Sequence, residues 1–126
     1  MAEPIVFISR WRVADRDAWA RAYRSAYEGI GTAKPRTALF AAYLDEGGTE
    51  TRIVHAFPDA AAVSEHFEGS ASRSASVADL LLPGGFELYG PAPADAVDQL
   101  RRAADASGTT LERFPEAIAG FVRAPR

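Results

Sequence analysis

The chain has 126 residues, no cysteine and a formal net charge of -3; that length suits one domain with one core and requires no staples. With no cysteine, no disulfide can form and nothing argues for an oxidising compartment. The basic residues are almost all arginines scattered between acids, the reverse of the clustered footprint that nucleic acid requires, so no nucleic-acid partner is expected.

Residues Met1 to Val13 carry acidic Glu3 first and only a short apolar run, which predicts a strand and not a signal peptide. No run approaches the roughly 20 apolar residues of a membrane span, and the expectation is a soluble, cytoplasmic protein with no membrane partner. The strand covers Ile5 to Val13. After it Trp19, Tyr23, Ala26, Tyr27 and Ile30 recur at helical spacing, with Asp15 or Asp17 as the cap and Gly29 or Gly31 as the left-handed end. Lys34-Pro35 breaks the chain. Arg36 to Leu44 and Thr49 to Phe57 flank the turn-forming Asp45-Glu46-Gly47-Gly48 and predict a hairpin.

Asp59 is placed to cap a second helix with Ala60, Val63 and Phe67 on one face. Gly69 interrupts it, Ser70 to Ser76 is small and polar, and Val77, Leu80 and Leu81 resume helical spacing until Pro83-Gly84-Gly85, which reads as a mobile lid or, more simply, as a broken helix. Phe86 to Tyr89 forms a fourth strand, closed by Gly90-Pro91-Ala92-Pro93. A third helix begins at Asp95 with Val97, Leu100 and Ala104 inward and ends at Ser107-Gly108; Thr109 to Phe114 is a fifth strand, and Ala117 to Arg123 an extended tail. Arg10 with Arg12, Arg101 with Arg102, and Arg123 with Arg126 are short basic clusters that read as solvated faces.

The order strand, helix, strand, strand, helix, strand is the ferredoxin-like α+β plan with an antiparallel sheet, followed by a helix and strand appendage. One domain over residues 1–126 is expected, with its core at about 4–91 and the appendage at about 92–126. Ile5 to Ile8 and Ala38 to Ala42 are apolar on both faces instead of alternating, so both sides of the sheet need cover. Helices supply one side. A second copy is predicted to supply the other, giving a homodimer formed sheet to sheet.

Both histidines fall between Thr51 and Phe67, where a strand passes through Pro58-Asp59 into a helix, a junction at which a small α/β domain can keep a pocket. His66 sits at the border of the helix's apolar face; it reads either as a hydrogen-bonded structural residue or as a general base or ligand-orienting group. His55 shares a strand face with Ile53 and Phe57, directed either to the same space or to the dimer interface. Trp19, Tyr23 and Tyr27 form a stripe that reads as core or as a substrate-orienting wall, and Tyr43 and Tyr89 carry the same ambiguity. His55, His66, Asp59, Glu65 and Glu68 match no metal-ligand spacing. No GxSxG and no glycine-rich phosphate motif occurs, leaving hydrolysis by a nucleophile elbow and nucleotide binding without support.

The run IVFISRWRV with the Trp19 to Ile30 helix, the hairpin leading into HAFPDAAAVSEHF, and FELYGP resemble the dimeric α/β-barrel superfamily, in its antibiotic biosynthesis monooxygenase-like branch. The resemblance covers about residues 4 to 91, and the segments LYGPAPADAVDQL and AIAGFVR look like the extension of a subset of members. It implies a barrel built from two sheets, with a pocket between each sheet and its helices. It also implies one of several activities, among them cofactor-free oxidation of aromatic substrates and haem degradation. The oxygenases and haem degraders of that branch typically combine an asparagine, a tryptophan and a histidine. Here His66 matches the histidine, Trp11 or Trp19 the tryptophan, and nothing the asparagine: the chain contains none, and Gln99, its other side-chain amide, lies on the appended helix. The leading expectation is a homodimer that binds a small apolar or aromatic molecule, with no cofactor and no metal. His66 is the catalytic candidate; His55, Trp19, Tyr23, Tyr43 and Phe67 are the substrate-binding candidates. The alternative is a non-catalytic binding or assembly module whose interior is filled with side chains.

Overall fold

The computed structural model of the protein describes residues 3–123; Arg126, paired with Arg123 in the sequence, lies outside them. The strands are β1 (Ile5–Val13), β2 (Leu39–Leu44), β3 (Glu50–Phe57), β4 (Leu81–Tyr89) and β5 (Leu111–Phe114). The helices are α1 (Arg16–Ala33), α2 (Ala60–Phe67), α3 (Ser70–Ser76) and α4 (Ala94–Ser107). One sheet runs in the order β2-β3-β1-β4-β5. The first four strands pair antiparallel in the ferredoxin-like arrangement. β5 adds in parallel to β4, so the sheet is mixed, not purely antiparallel. A parallel neighbour needs a crossover, and α4 is that crossover.

Local chemistry accounts for the element ends. Asp15 Oδ1 accepts from Ala18 N–H at 3.0 Å and Asp59 Oδ1 from Ala62 N–H at 2.9 Å, each satisfying a donor that the first helical turn leaves open. Asp59→Ala should therefore lower stability by about 1 kcal/mol, read as a lower urea midpoint at unchanged slope. In the hairpin Asp45 Oδ1 accepts from the backbone of Thr49 at 2.9 Å and Glu50 at 3.1 Å, and these bonds hold its carboxyl below the usual range.

Two boundaries differ from the sequence expectation. α1 continues through Gly29 and Gly31 to Ala33, because neither glycine adopts a positive φ; the end comes where Lys34 N–H reaches Ile30 O at 2.9 Å just before Pro35. Leu81 belongs to a strand and not to a resumed helix. β4 starts there because Leu81, Leu82 and Pro83 pair with Val13, Arg12 and Trp11. Pro83 is tolerated beside a register shift at Arg10/Trp11 and outside the part of β4 that β5 pairs, which begins at Phe86. Val77 to Leu80 makes only a turn, closed by Leu80 N–H to Val77 O at 2.9 Å.

All helices that contribute to the core pack on one face of the sheet. There Ile5, Phe7, Phe57, Val63, Leu88 and Leu100 form one buried cluster, and Trp19, Ile53 and Leu81 a second. The appended α4 is part of the first, through Ala96, Val97, Leu100 and Ala104. On the opposite face Val6, Ile8 and Val54 are half-buried, and Leu39, Tyr43 and Phe114 are exposed. Among the described residues no helix is long and apolar enough to cross a membrane.

Candidate functional site

Sheet and helices do not close completely on each other. They leave a cavity of about 620 Å³, within the usual range of small-molecule sites. Its floor is the inward face of the sheet, where strand alternation presents Phe7, Ser9 and Trp11 from β1, Phe40 from β2, and Ile53 and His55 from β3. α1 contributes Trp19, Tyr23 and Ile30, which lie on one stripe of that helix.

His55 sits opposite Phe7 on one side and Phe40 on the other, and its ring stacks on Phe7 at 4.8 Å. Its Nδ1 lies 3.1 Å from Phe7 O. A carbonyl only accepts, so Nδ1 carries the proton and donates. Burial is the main reason that His55 is pushed down to about 4, with nearby Arg73 acting in the same direction and the Phe7 carbonyl against it. At neutral pH the ring is uncharged, and Nε2 keeps its lone pair.

His66 is not at a solvent border: it is 4% exposed. Its Nδ1 lies 2.8 Å from Thr37 Oγ1, and its ring stands edge-on to His55 at 4.9 Å. Burial, then His55, Arg73 and Lys34, push it down to about 3. Two neutral imidazoles therefore share one wall. Tyr23 adds a hydroxyl that is buried with no hydrogen-bond partner of ordinary geometry among the described residues, and burial foremost pushes it up to about 12. Its phenol stays protonated and can donate to a ligand.

The end of α2 is held by two cations. Arg73 on α3 donates through Nη1 to Glu68 O at 2.8 Å and through Nη2 to His66 O. Lys34 Nζ donates to Glu65 O at 2.6 Å. These carbonyls are among those a helix leaves unsatisfied at its negative end, where cations are favoured. Arg73 also lines the cavity. Burial lowers its pKa, yet a guanidinium remains charged at neutral pH.

The structure thus brings His55, His66, Trp19, Tyr23 and Phe67 to one cavity. It does not bring Tyr43 there. Tyr43 pairs with Arg52, alternates to the opposite sheet face from Phe40, Ala42 and Leu44, and is 62% exposed. Three contributors escaped sequence reasoning: Phe40, Arg73 and the flank of α4. Gln99, Ala103 and Ser107 stand one turn apart and all line the cavity, and Gln99 Nε2 donates to Ser70 Oγ. The i, i+4, i+8 spacing beside the inward Leu100 was the available signal. For Arg73 it was a lone arginine among serines and alanines just past a helix end.

No protein-family model and no curated protein matches the sequence. Solved structures do match its fold. MupZ from Pseudomonas fluorescens superposes with a TM-score of 0.64 at 14% identity, over 94% of this chain and 95% of that one, a share that must include α4. A variant of SnoaB, a cofactor-independent oxygenase from Streptomyces nogalater, gives 0.60 at 11% identity over 70% of this chain and 92% of its own. Rv0793 from Mycobacterium tuberculosis gives 0.57 at 20% identity over 72% and 97%. The fold is the ferredoxin-like one that these structures share.

Proposed function

From that shared fold we propose that the chain is a homodimeric small-molecule-binding protein. Its ligand, aromatic or otherwise apolar, lies between sheet and helices and is oxidised by a cofactor-independent monooxygenase reaction. The observation that carries the proposal is the cavity of about 620 Å³ with aromatic walls and both histidines on its lining. A filled interior would have favoured an assembly module. SnoaB, a cofactor-independent oxygenase of the same fold, supports the reaction by analogy of fold alone.

In this reading the substrate is an electron-rich CH₂ or phenolic carbon acid. Once deprotonated it reduces oxygen itself: one oxygen atom enters the product, the other leaves as water, and the electrons come from the substrate's C–H bonds. The protein supplies a proton acceptor, confinement and orientation. His66 is that acceptor. Because its surroundings push it down to about 3, it takes a proton only as negative charge grows on the substrate beside it. His55, through Nε2, and Tyr23 orient the ligand, and Trp19 and Phe67 confine it.

Replacing His66 with alanine should abolish turnover of an identified substrate while binding survives; unchanged turnover removes His66 from the mechanism. A second reading, binding without reaction, is favoured by the same low basicity, since an effective general base titrates near the working pH. It predicts ligand binding with no oxygen consumption in an electrode assay.

The dimer is proposed to form through the sheet face bearing Val6, Ile8, Val54 and Leu39, half-buried or exposed in the single chain. Sedimentation at micromolar concentration should give a mass of two chains, and Val54→Asp should shift it to one. A wild-type monomer overturns the assembly.

A further inference from the structure

His66 stands between two spaces. Its ring lines the large cavity, whereas its Nδ1 lies 2.8 Å from Thr37 Oγ1. Thr37 in turn lines a second, smaller pocket of about 200 Å³ with Tyr27, Gly31, Lys34 and Pro35. Ile30 and Phe40 belong to both linings, so the two spaces adjoin. Tyr27, Gly31 and Pro35 are exposed; the smaller pocket therefore meets solvent, and it has room for several water molecules. Thr37 is fixed between the end of α1 and β2, by its own N–H to Lys34 O at 3.1 Å and by Ala38 N–H to Ala56 O at 2.9 Å.

The other neighbours of the His66 ring are Phe40, Phe57, Phe67 and His55. Phenyl rings neither take nor give a proton, and the Nδ1–H of His55 ends on the Phe7 carbonyl, which cannot pass it on. A threonine hydroxyl donates and accepts at once. Among the described residues, Thr37 is thus the hydrogen-bonded way from the ring toward solvent. We propose that the smaller pocket is a proton port for the cavity. A proton accepted at His66 Nε2 is balanced by one that leaves Nδ1 for Thr37 Oγ1, while the Thr37 hydroxyl proton passes to water in the pocket. No electrons move, and the same steps reversed bring a proton in. Thr37 is a positioning residue, acting through His66. The inference rests on the reading of His66 as proton acceptor and adds the route by which the proton leaves.

The test needs no substrate. With both histidines of the full chain isotope-labelled at nitrogen, exchange of each imidazole N–H with water is read by NMR saturation transfer at pH 7, and His66→Gln assigns the signals. In the wild type His66 should exchange about tenfold or more faster than His55, whose N–H is held by a carbonyl; equal or slower exchange overturns the port without any variant. Thr37→Val keeps the shape and removes the hydroxyl, so it should slow His66 about tenfold, on the order of one lost hydrogen bond, and leave His55 unchanged. Thr37→Ser should restore the rate. Faster exchange at both histidines in Thr37→Val would be loosening of the fold, and overturns Thr37's part. Gly31→Leu should close the pocket from its rim and slow His66 likewise, because a side chain there meets open space and the helical backbone accepts it. A wild-type rate in Thr37→Val overturns the hydroxyl's part, and a wild-type rate in Gly31→Leu the pocket's. Either failure leaves His66 as proton acceptor, whereas unchanged turnover in His66→Ala removes that role and is read in a separate assay.

Discussion

Acidification from pH 6.5 to pH 4.5 should remove about 4 to 5 kcal/mol of stability, a large share of what a domain of this size possesses. His55 and His66 are pushed down from 6.5 to about 4 and about 3. In the unfolded chain both take up protons as the pH falls through 6.5; in the folded chain neither does until far lower. The unfolded state then binds more protons, and folding stability falls with pH by nearly 3 kcal/mol per unit for the two together. The contribution is fully present above the unfolded value and is lost as pH falls toward the folded values. Urea unfolding at pH 7, 6, 5 and 4.5 reads this directly, and His66→Gln should remove about half of the slope. A flat profile between pH 7 and pH 5 would mean that the imidazoles are not held neutral by burial.

Replacing Phe57 with alanine should cost about 3–5 kcal/mol and lower the melting temperature by roughly 10–20 °C. Phe57 is 0% exposed. It sits in the larger core cluster with Ile5, Val63 and Leu88, and its ring is 5.2 Å from that of His66. The loss therefore combines the transfer of a buried ring with a void that the β3 backbone cannot close. The same void adjoins the histidine pair, so water entering it would weaken the desolvation that keeps His66 neutral. Phe57→Ala should accordingly show a smaller loss of stability per pH unit than wild type. Phe57→Leu should recover most of the melting temperature.

The architecture was readable because its signals were local: Asp15 or Asp17 and then Asp59 as caps, the Asp45 to Gly48 turn, and the Trp19 to Ile30 period each need only neighbouring residues. Gly29 and Gly31 misled because glycine permits a left-handed turn without requiring one; the helix stops only where Pro35 forbids it. Leu81 misled because β4's first residues owe their conformation to pairing with Val13, Arg12 and Trp11, nearly seventy positions away. The same division runs through the site. His55, Trp19 and Tyr23 were candidates from the faces they share with apolar neighbours, but the pattern left open whether His55 met the cavity or the opposite face and whether the Trp19 stripe was core or cavity wall. Tyr43 failed because the hairpin register, not residue type, decides its face. Arg73 and Gln99 were hidden because the side of the cavity they meet is assembled from three separate helices.

The placement of α4 separates what must stay fixed from what can vary. The sheet residues that hold the histidines also hold the fold, so altering them risks both. Gln99, Ala103 and Ser107 line the cavity from a helix anchored by its own inward row, Val97, Leu100 and Ala104. A larger side chain at Ala103 would narrow the chamber without touching a strand. Variants of this chain altered only in this helix would thus keep the same pair of buried imidazoles while admitting different molecules.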